Sequence, residues 1–102
     1  MMTVVTTLKL EPEAEHEWDG LIRERFRSAH RCEGWVSGEL LAPVDEPHTR
    51  VIVGTWRRRE DWEAWHDDPD FLATRSRLDA LQPEAQQTVW YDVIEDTRAG
   101  AD

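Results

Sequence analysis

Apolar and polar residues alternate with a period of two in four short stretches, and recur every three to four residues between them. Thr3 to Leu10 sets Val4, Thr6, Leu8 and Leu10 against Val5, Thr7 and Lys9, the pattern of a strand. Pro12 suits the first turn of a helix, with Glu13, Glu15 and Glu17 set against the positive end of its dipole. Trp18, Leu21, Ile22, Arg25, Phe26 and Ala29 then fall at i, i+3, i+4, i+7 spacing and predict one buried face, with Gly34 as the stop. Trp35 to Ala42 and Thr49 to Trp56 read as a second and a third strand joined by the hairpin-like loop Pro43 to His48. A short helix from Arg59 to His66 follows, showing Trp62, Trp65 and His66 on one side. Asp68-Pro69-Asp70 reads as an N-cap, a proline at the first helical position and an acid in the first turn. The helix it opens carries Phe71, Leu72, Arg75 and Leu78 on its inner side, with Pro83 beyond its end. Gln87 to Glu95 is a fourth strand, and the chain from residue 96 onward is expected to be a frayed, flexible tail. The order β-α-β-β-α-β predicts an α+β fold, ferredoxin-like with an antiparallel sheet, forming one domain over residues 3–95.

Helices in this arrangement cover one face of the sheet, so the other face should be polar. It is not. The third strand has Val51 and Val53 on one side with Ile52 and Trp56 on the other. The fourth sets Val89, Tyr91 and Val93 against Trp90 and Ile94. A second apolar face needs a cover, and a second copy of the chain is the simplest one. The expectation is a two-fold homodimer with sheets face to face, a dimeric α+β barrel.

Composition narrows the functional classes. Twelve bases against twenty-two acids give a net charge of −10, which argues against nucleic acid and against an anionic membrane as partners. No segment has the length and apolarity of a membrane span. Cys32 is alone, so the chain has no internal disulfide and suits a reducing compartment, the cytoplasm. The glycines form no phosphate-cradling loop, and one histidine among carboxylates around Asp67, Asp68 and Asp70 is a poor metal signature, so no metal site is expected.

The chemically richest segment is Trp56 to His66, where three of the six tryptophans fall within eleven residues. Three indoles together make either an apolar pocket wall or a dense core seam, and both readings stand at this level. Several residues here resemble the antibiotic biosynthesis monooxygenase family of the dimeric α+β barrel superfamily. Glu33-Gly34-Trp35 is similar to that family's helix-to-strand junction. Val53-Gly54-Thr55-Trp56 followed by Glu60-Asp61-Trp62-Glu63-Ala64-Trp65 is similar to its signature, with Arg58 where a capping serine is common. The likeness runs over roughly residues 3 to 95.

The resemblance implies oxygenases that turn anthrone-type aromatics into quinones with O₂ and no cofactor, on a pocket between sheet and helices. Trp56 and Arg75 match two positions of that pocket, Ile52 stands in place of an asparagine, and Trp62 in place of an aromatic hydroxyl. Haem-degrading members imply a different site, in which Trp65 matches but Thr7 and Thr74 replace the asparagine and the histidine. Without that histidine the iron lacks an axial ligand. The leading expectation is therefore a monooxygenase for a small electron-rich aromatic, with Trp56, Arg75 and His66 as its catalytic candidates. Trp62, Trp65, Ile52 and Phe71 are the candidates for substrate binding. The plainer alternatives are tryptophans that only pack, an Arg75 paired with Asp79, and a His66 that serves the end of its helix. A non-catalytic module binding an aromatic ligand or haem is the rival function.

Overall fold

The computed structural model describes residues 1–99, and the last three residues of the expected tail lie outside the described residues. Four strands, β1 (Met2–Lys9), β2 (Trp35–Leu41), β3 (Thr49–Trp56) and β4 (Gln87–Asp92), form one sheet in the order β2-β3-β1-β4. All three pairings are antiparallel. Helices α1 (Glu15–His30), α2 (Arg59–Trp65) and α3 (Pro69–Ala80) complete the ferredoxin-like α+β arrangement that the hydrophobic pattern predicts.

Local chemistry sets the element boundaries. The carboxylate of Asp68 accepts from the backbone N–H groups of Asp70 and Phe71 at 3.0 and 3.3 Å, and Pro69 opens α3 as expected. Arg58 precedes α2 with no side-chain cap, as its sequence implied. Its guanidinium instead pairs with Asp61 in the first turn at 3.2 Å. The start of α1 differs from the expectation. Pro12 and Glu13 form a turn with Glu13 at φ 66°, and the helix begins only at Glu15. Tertiary bonds win over the proline signal here. Leu10 N–H donates to the His48 carbonyl at 2.7 Å and Glu11 N–H to that of Leu81 at 2.9 Å, holding the chain extended. Strand β4 ends at Asp92 rather than Glu95, because Asp92 pairs with Met2, where β1 begins. Gly34 is not the helix stop either. At φ 87° it brings the chain against α2, where a Cβ would collide with the side chain of Asp61.

The helix-covered face holds the core, in two clusters. One gathers Leu8, Leu10, Trp18, Leu21, Ile22 and Leu78, and the other gathers Val4, Ala29, Trp56, Trp65 and Phe71. The opposite face carries cross-strand rows of Leu41-Val51-Thr7, Glu39-Val53-Val5-Val89 and Ser37-Thr55-Thr3-Tyr91. Leu41, Val89 and Tyr91 are each about half exposed there.

Candidate functional site

Between the two core clusters, under the helices, lies a cavity of about 70 Å³. Its wall is a run of rings in mutual edge and tilted contact. Trp35 meets Trp56 at 5.2 Å between centroids, Trp56 meets Trp65 at 5.4 Å, and Trp65 meets Phe71 at 4.7 Å. Phe71 then meets His66 at 4.3 Å, and Trp62 stands edge-on to both His66 and Trp90. The separations among the tryptophans and Phe71 lie in the favourable range for aromatic pairs, and His66 sits closer still. The floor is the sheet itself, where Gly54 leaves the space that a larger residue would fill. A Cβ there would make only ordinary contacts, 3.6 Å from the Trp56 Nε1. Gly38, paired with Gly54 across the strands, lets the Trp35 ring lie flat on the sheet, since a Cβ would come 2.5 Å from its Cη2.

Two of the tryptophans have assigned hydrogen bonds. Trp65 donates to the Ser28 Oγ at 2.7 Å and Trp18 to the Gln82 Oε1 at 3.3 Å. Trp56 is fully buried and lines the cavity beside Gly54. Trp65 therefore shapes the cavity as a tied wall.

His66 lies half-buried at the C-terminal end of α2. Its Nδ1 is 2.8 Å from the Trp62 carbonyl, an atom that only accepts, so Nδ1 carries the proton and Nε2 keeps its lone pair. Desolvation holds its pKa below the ordinary 6.5, opposed by the bond to Trp62 and aided by repulsion from Arg25 and Arg75. The residue is at once the helix-end histidine of the plainer reading and a neutral imidazole at the cavity. Cys32, its thiol pushed up by burial, donates weakly to the Ser28 carbonyl and stays a packing residue.

The structure brings Trp56, Trp62, Trp65, Ile52, Phe71 and His66 together around one cavity, and leaves out Arg75. The buried side of α3 is Phe71, Thr74 and Leu78, so Leu72 and Arg75 turn outward instead of inward as expected. Thr74 takes the inner position because its hydroxyl donates to the Phe71 carbonyl and accepts from Arg25. Arg75 has no carboxylate within ion-pair range among the described residues, so the alternative of a pair with Asp79 is not formed either. It borders an open vestibule of about 670 Å³ between α3 and the loop through Gln86. Arg25, His66, Phe71 and Gln86 line both spaces and join them.

Arg25 is the cation the sequence reading left unassigned. Its Nε donates to the Thr74 Oγ1 at 2.7 Å and its Cζ sits 3.8 Å from the centre of the Phe71 ring. Burial, then repulsion from Arg75, pushes its pKa down to about 10, with Asp79 opposing, and it remains charged at neutral pH. The available signal was a charged residue on an otherwise apolar helical stripe. Thr7 lies on the open face of the sheet, so the strand-one residue at the cavity is Thr6. Among the described residues no cluster of His, Cys, Asp or Glu is placed to hold a metal ion, and no helix is long and apolar enough to cross a membrane.

The fold is shared with known proteins. The family model for antibiotic biosynthesis monooxygenases matches residues 1–77, and the chain belongs to that family. Its fold is similar to that of a Nitrosomonas europaea protein assigned to antibiotic biosynthesis monooxygenases, with a TM-score of 0.86 at 17% identity over 93% of this chain and 100% of the other. It is also similar to SnoaB of Streptomyces nogalater, a cofactor-independent oxygenase, with a TM-score of 0.82 at 19% identity over 93% and 94% of the two chains. Rv0793 of Mycobacterium tuberculosis superposes with a TM-score of 0.83 at 15% identity, over 95% of this chain and 98% of its own. At these identities the likeness speaks for the fold. No curated protein matches the chain.

Proposed function

We propose that the protein is a cofactor-independent monooxygenase that oxidises an electron-rich aromatic of the anthrone or quinol type. The observation that carries this reading is His66, a neutral imidazole whose tautomer is set by its bond to Trp62, at the edge of a ring-lined cavity. Membership of the family and the fold shared with SnoaB support it. The cavity alone is smaller than the roughly 300 Å³ at which ligand pockets begin, so the flat ring spans cavity and vestibule, entering past the exposed Gln86.

In this reaction the Nε2 of His66 takes a proton from the activated ring carbon, leaving an anion spread over the ring and its oxygen. The Trp56 N–H and the Arg25 guanidinium stabilise that oxygen charge in a site shielded from water. The anion passes one electron to O₂, and the radical pair combines to a peroxide anion, which the His66 imidazolium protonates to the hydroperoxide. The hydroperoxide then loses its terminal hydroxyl together with the second hydrogen of the same carbon, releasing water and giving the quinone. One O₂ is consumed per substrate, with one atom kept and one released as water.

The test is O₂ uptake with anthrone as the only added compound. Uptake above the rate without protein is expected, slowed at least about a hundredfold in His66→Ala. No uptake, or uptake indifferent to His66, overturns the reading. The use of the Trp65 N–H by Ser28 favours a second reading, a module that holds an aromatic ligand without turning it over. Binding of flat aromatics without O₂ uptake, or a haem Soret shift on titration, would mark that case.

We also infer that the working unit is a cytoplasmic homodimer closed over the sheet's open face. Its rows of valine, leucine and tyrosine are not those of a wetted surface. Sedimentation of the wild type as a dimer and of Val53→Glu as a monomer is expected, and a monomeric wild type rejects it.

A further inference from the structure

Three glycines stand on or beside the central strands, and the fold itself needs only two of them. Gly34 has its positive φ, and a Cβ on Gly38 would come 2.5 Å from the Trp35 ring. Gly54 has neither reason. It lies within β3, an interior strand, between Val4 of β1 and Gly38 of β2. Its φ is outside the left-handed region. A Cβ there would meet the Trp56 Nε1 and the Val4 Cγ1 at 3.6 Å and the Trp35 Cζ3 at 3.8 Å, all ordinary contacts. Glycine weakens a strand interior, because it has no side chain to pack and more chain entropy to lose. Alanine would suit the sheet at least as well. What the glycine keeps is space.

The row across the sheet at this point is Gly38-Gly54-Val4-Trp90, so two bare positions adjoin. The first is filled, since the Trp35 ring lies over Gly38. The second faces the cavity, with its neighbours a full contact distance from where a Cβ would sit. Arg25, His66, Phe71 and Gln86 are common to cavity and vestibule and mark the mouth, whereas Gly54, Val4 and Trp35 line the cavity alone. A ring edge can approach bare backbone more closely than it can approach any side chain. We propose that Gly54 is the specificity-determining residue of the site: a fused ring system enters end-on, and a leading ring free of bulky substituents takes the place of the missing side chain. This rests on the oxygenase reading for the site and adds which end of the substrate leads and what shape that end must have. The next ring then lies at the mouth beside His66, and larger or polar substituents stay on the vestibule side.

The discriminating probes are 2-naphthalenemethanol and 6-tert-butyl-2-naphthalenemethanol, which differ only at the end opposite the hydroxymethyl group. Each is titrated into the whole protein and followed by quenching of tryptophan fluorescence. The wild type should bind the unsubstituted probe at least about tenfold more tightly, because the bulky end forfeits burial in the cavity. Gly54→Ala should weaken that probe about tenfold and Gly54→Val more, with the affinity for the tert-butyl probe unchanged. The urea midpoint of Gly54→Ala should equal or exceed that of the wild type, which a glycine required by the fold would not permit. Alanine makes only ordinary contacts, so it carries the test even if the larger valine disturbs the packing. Equal affinities of the wild type for both probes, unchanged binding in Gly54→Ala, a matching loss for both probes, a lowered midpoint, or no binding of either overturns the proposal. O₂ uptake with anthrone is read separately. Glycine-dependent selection between the probes without oxidation removes the oxygenase reading alone, while oxidation with binding indifferent to residue 54 removes this role of Gly54 alone.

Discussion

The two ends of the core are built from different materials, and only one is closed. At the first, Leu8, Leu10, Leu21, Ile22 and Leu78 surround Trp18, a set of branched, flexible side chains that interdigitate around one indole. At the second, Trp56, Trp65 and Phe71 meet Trp35, Trp62 and Trp90, and a space of about 70 Å³ is left against Gly54. Indoles are large, rigid plates that meet best edge to face, so a group of them leaves gaps that aliphatic neighbours would fill. Polar ties hold the second end open. Trp65 is fixed by Ser28, and Arg25 by Thr74. The first end therefore carries stability and the second carries room.

The largest test of this contrast is a pair of deletions. Trp18 is fully buried, and Trp18→Ala should cost about 4 kcal/mol in urea unfolding, the range for removing a buried indole. Trp62 borders existing space and is partly exposed, so Trp62→Ala should cost about 1 kcal/mol while enlarging the cavity. Equal losses would mean that the indole end is packed as tightly as the aliphatic end.

Patterns local in sequence made the fold legible. Alternation marked all four strands, the spacing from Trp18 to Ala29 marked α1, and Asp68-Pro69-Asp70 marked the start of α3. The apolar character of both sheet faces was also legible, because a strand's period assigns each residue a side. The site was legible in part. Trp56, Trp62, Trp65, His66 and Phe71 lie close in sequence and share a cavity, but the features that set their roles come from afar. Ser28 and Trp65 are 37 residues apart, and Arg25 and Thr74 are 49 apart. No spacing rule reaches that distance. Arg75 was read inward because Phe71, Arg75 and Leu78 also fit a helical stripe, and the choice between Thr74 and Arg75 depended on the unforeseen bond from Arg25. The turn at Glu13 has the same origin, since the carbonyls of His48 and Leu81 that hold its flank come from distant segments.

The smallest expected effect sharpens the contrast at the hollow end, where a titratable group replaces a hydrocarbon. Folding disfavours the charged form of His66, because burial is the largest influence on it and Arg25 and Arg75 repel a second positive charge. The Trp62 carbonyl and Asp67 pull the other way and do not prevail. With its folded pKa below the ordinary 6.5, the neutral side chain contributes fully above that value. The contribution is lost as the pH falls through 6.5 toward the folded pKa, since the unfolded chain then binds a proton that the folded one refuses. The stability of the wild type relative to His66→Gln should therefore decline between about pH 8 and pH 5, with no comparable change above pH 8. The residues packed at the closed end are apolar, so Trp18→Ala should leave the same decline in place. A pH-independent difference between wild type and His66→Gln would mean that His66 is solvated as an ordinary surface imidazole. The hollow would then lose the neutral base on which its chemistry depends.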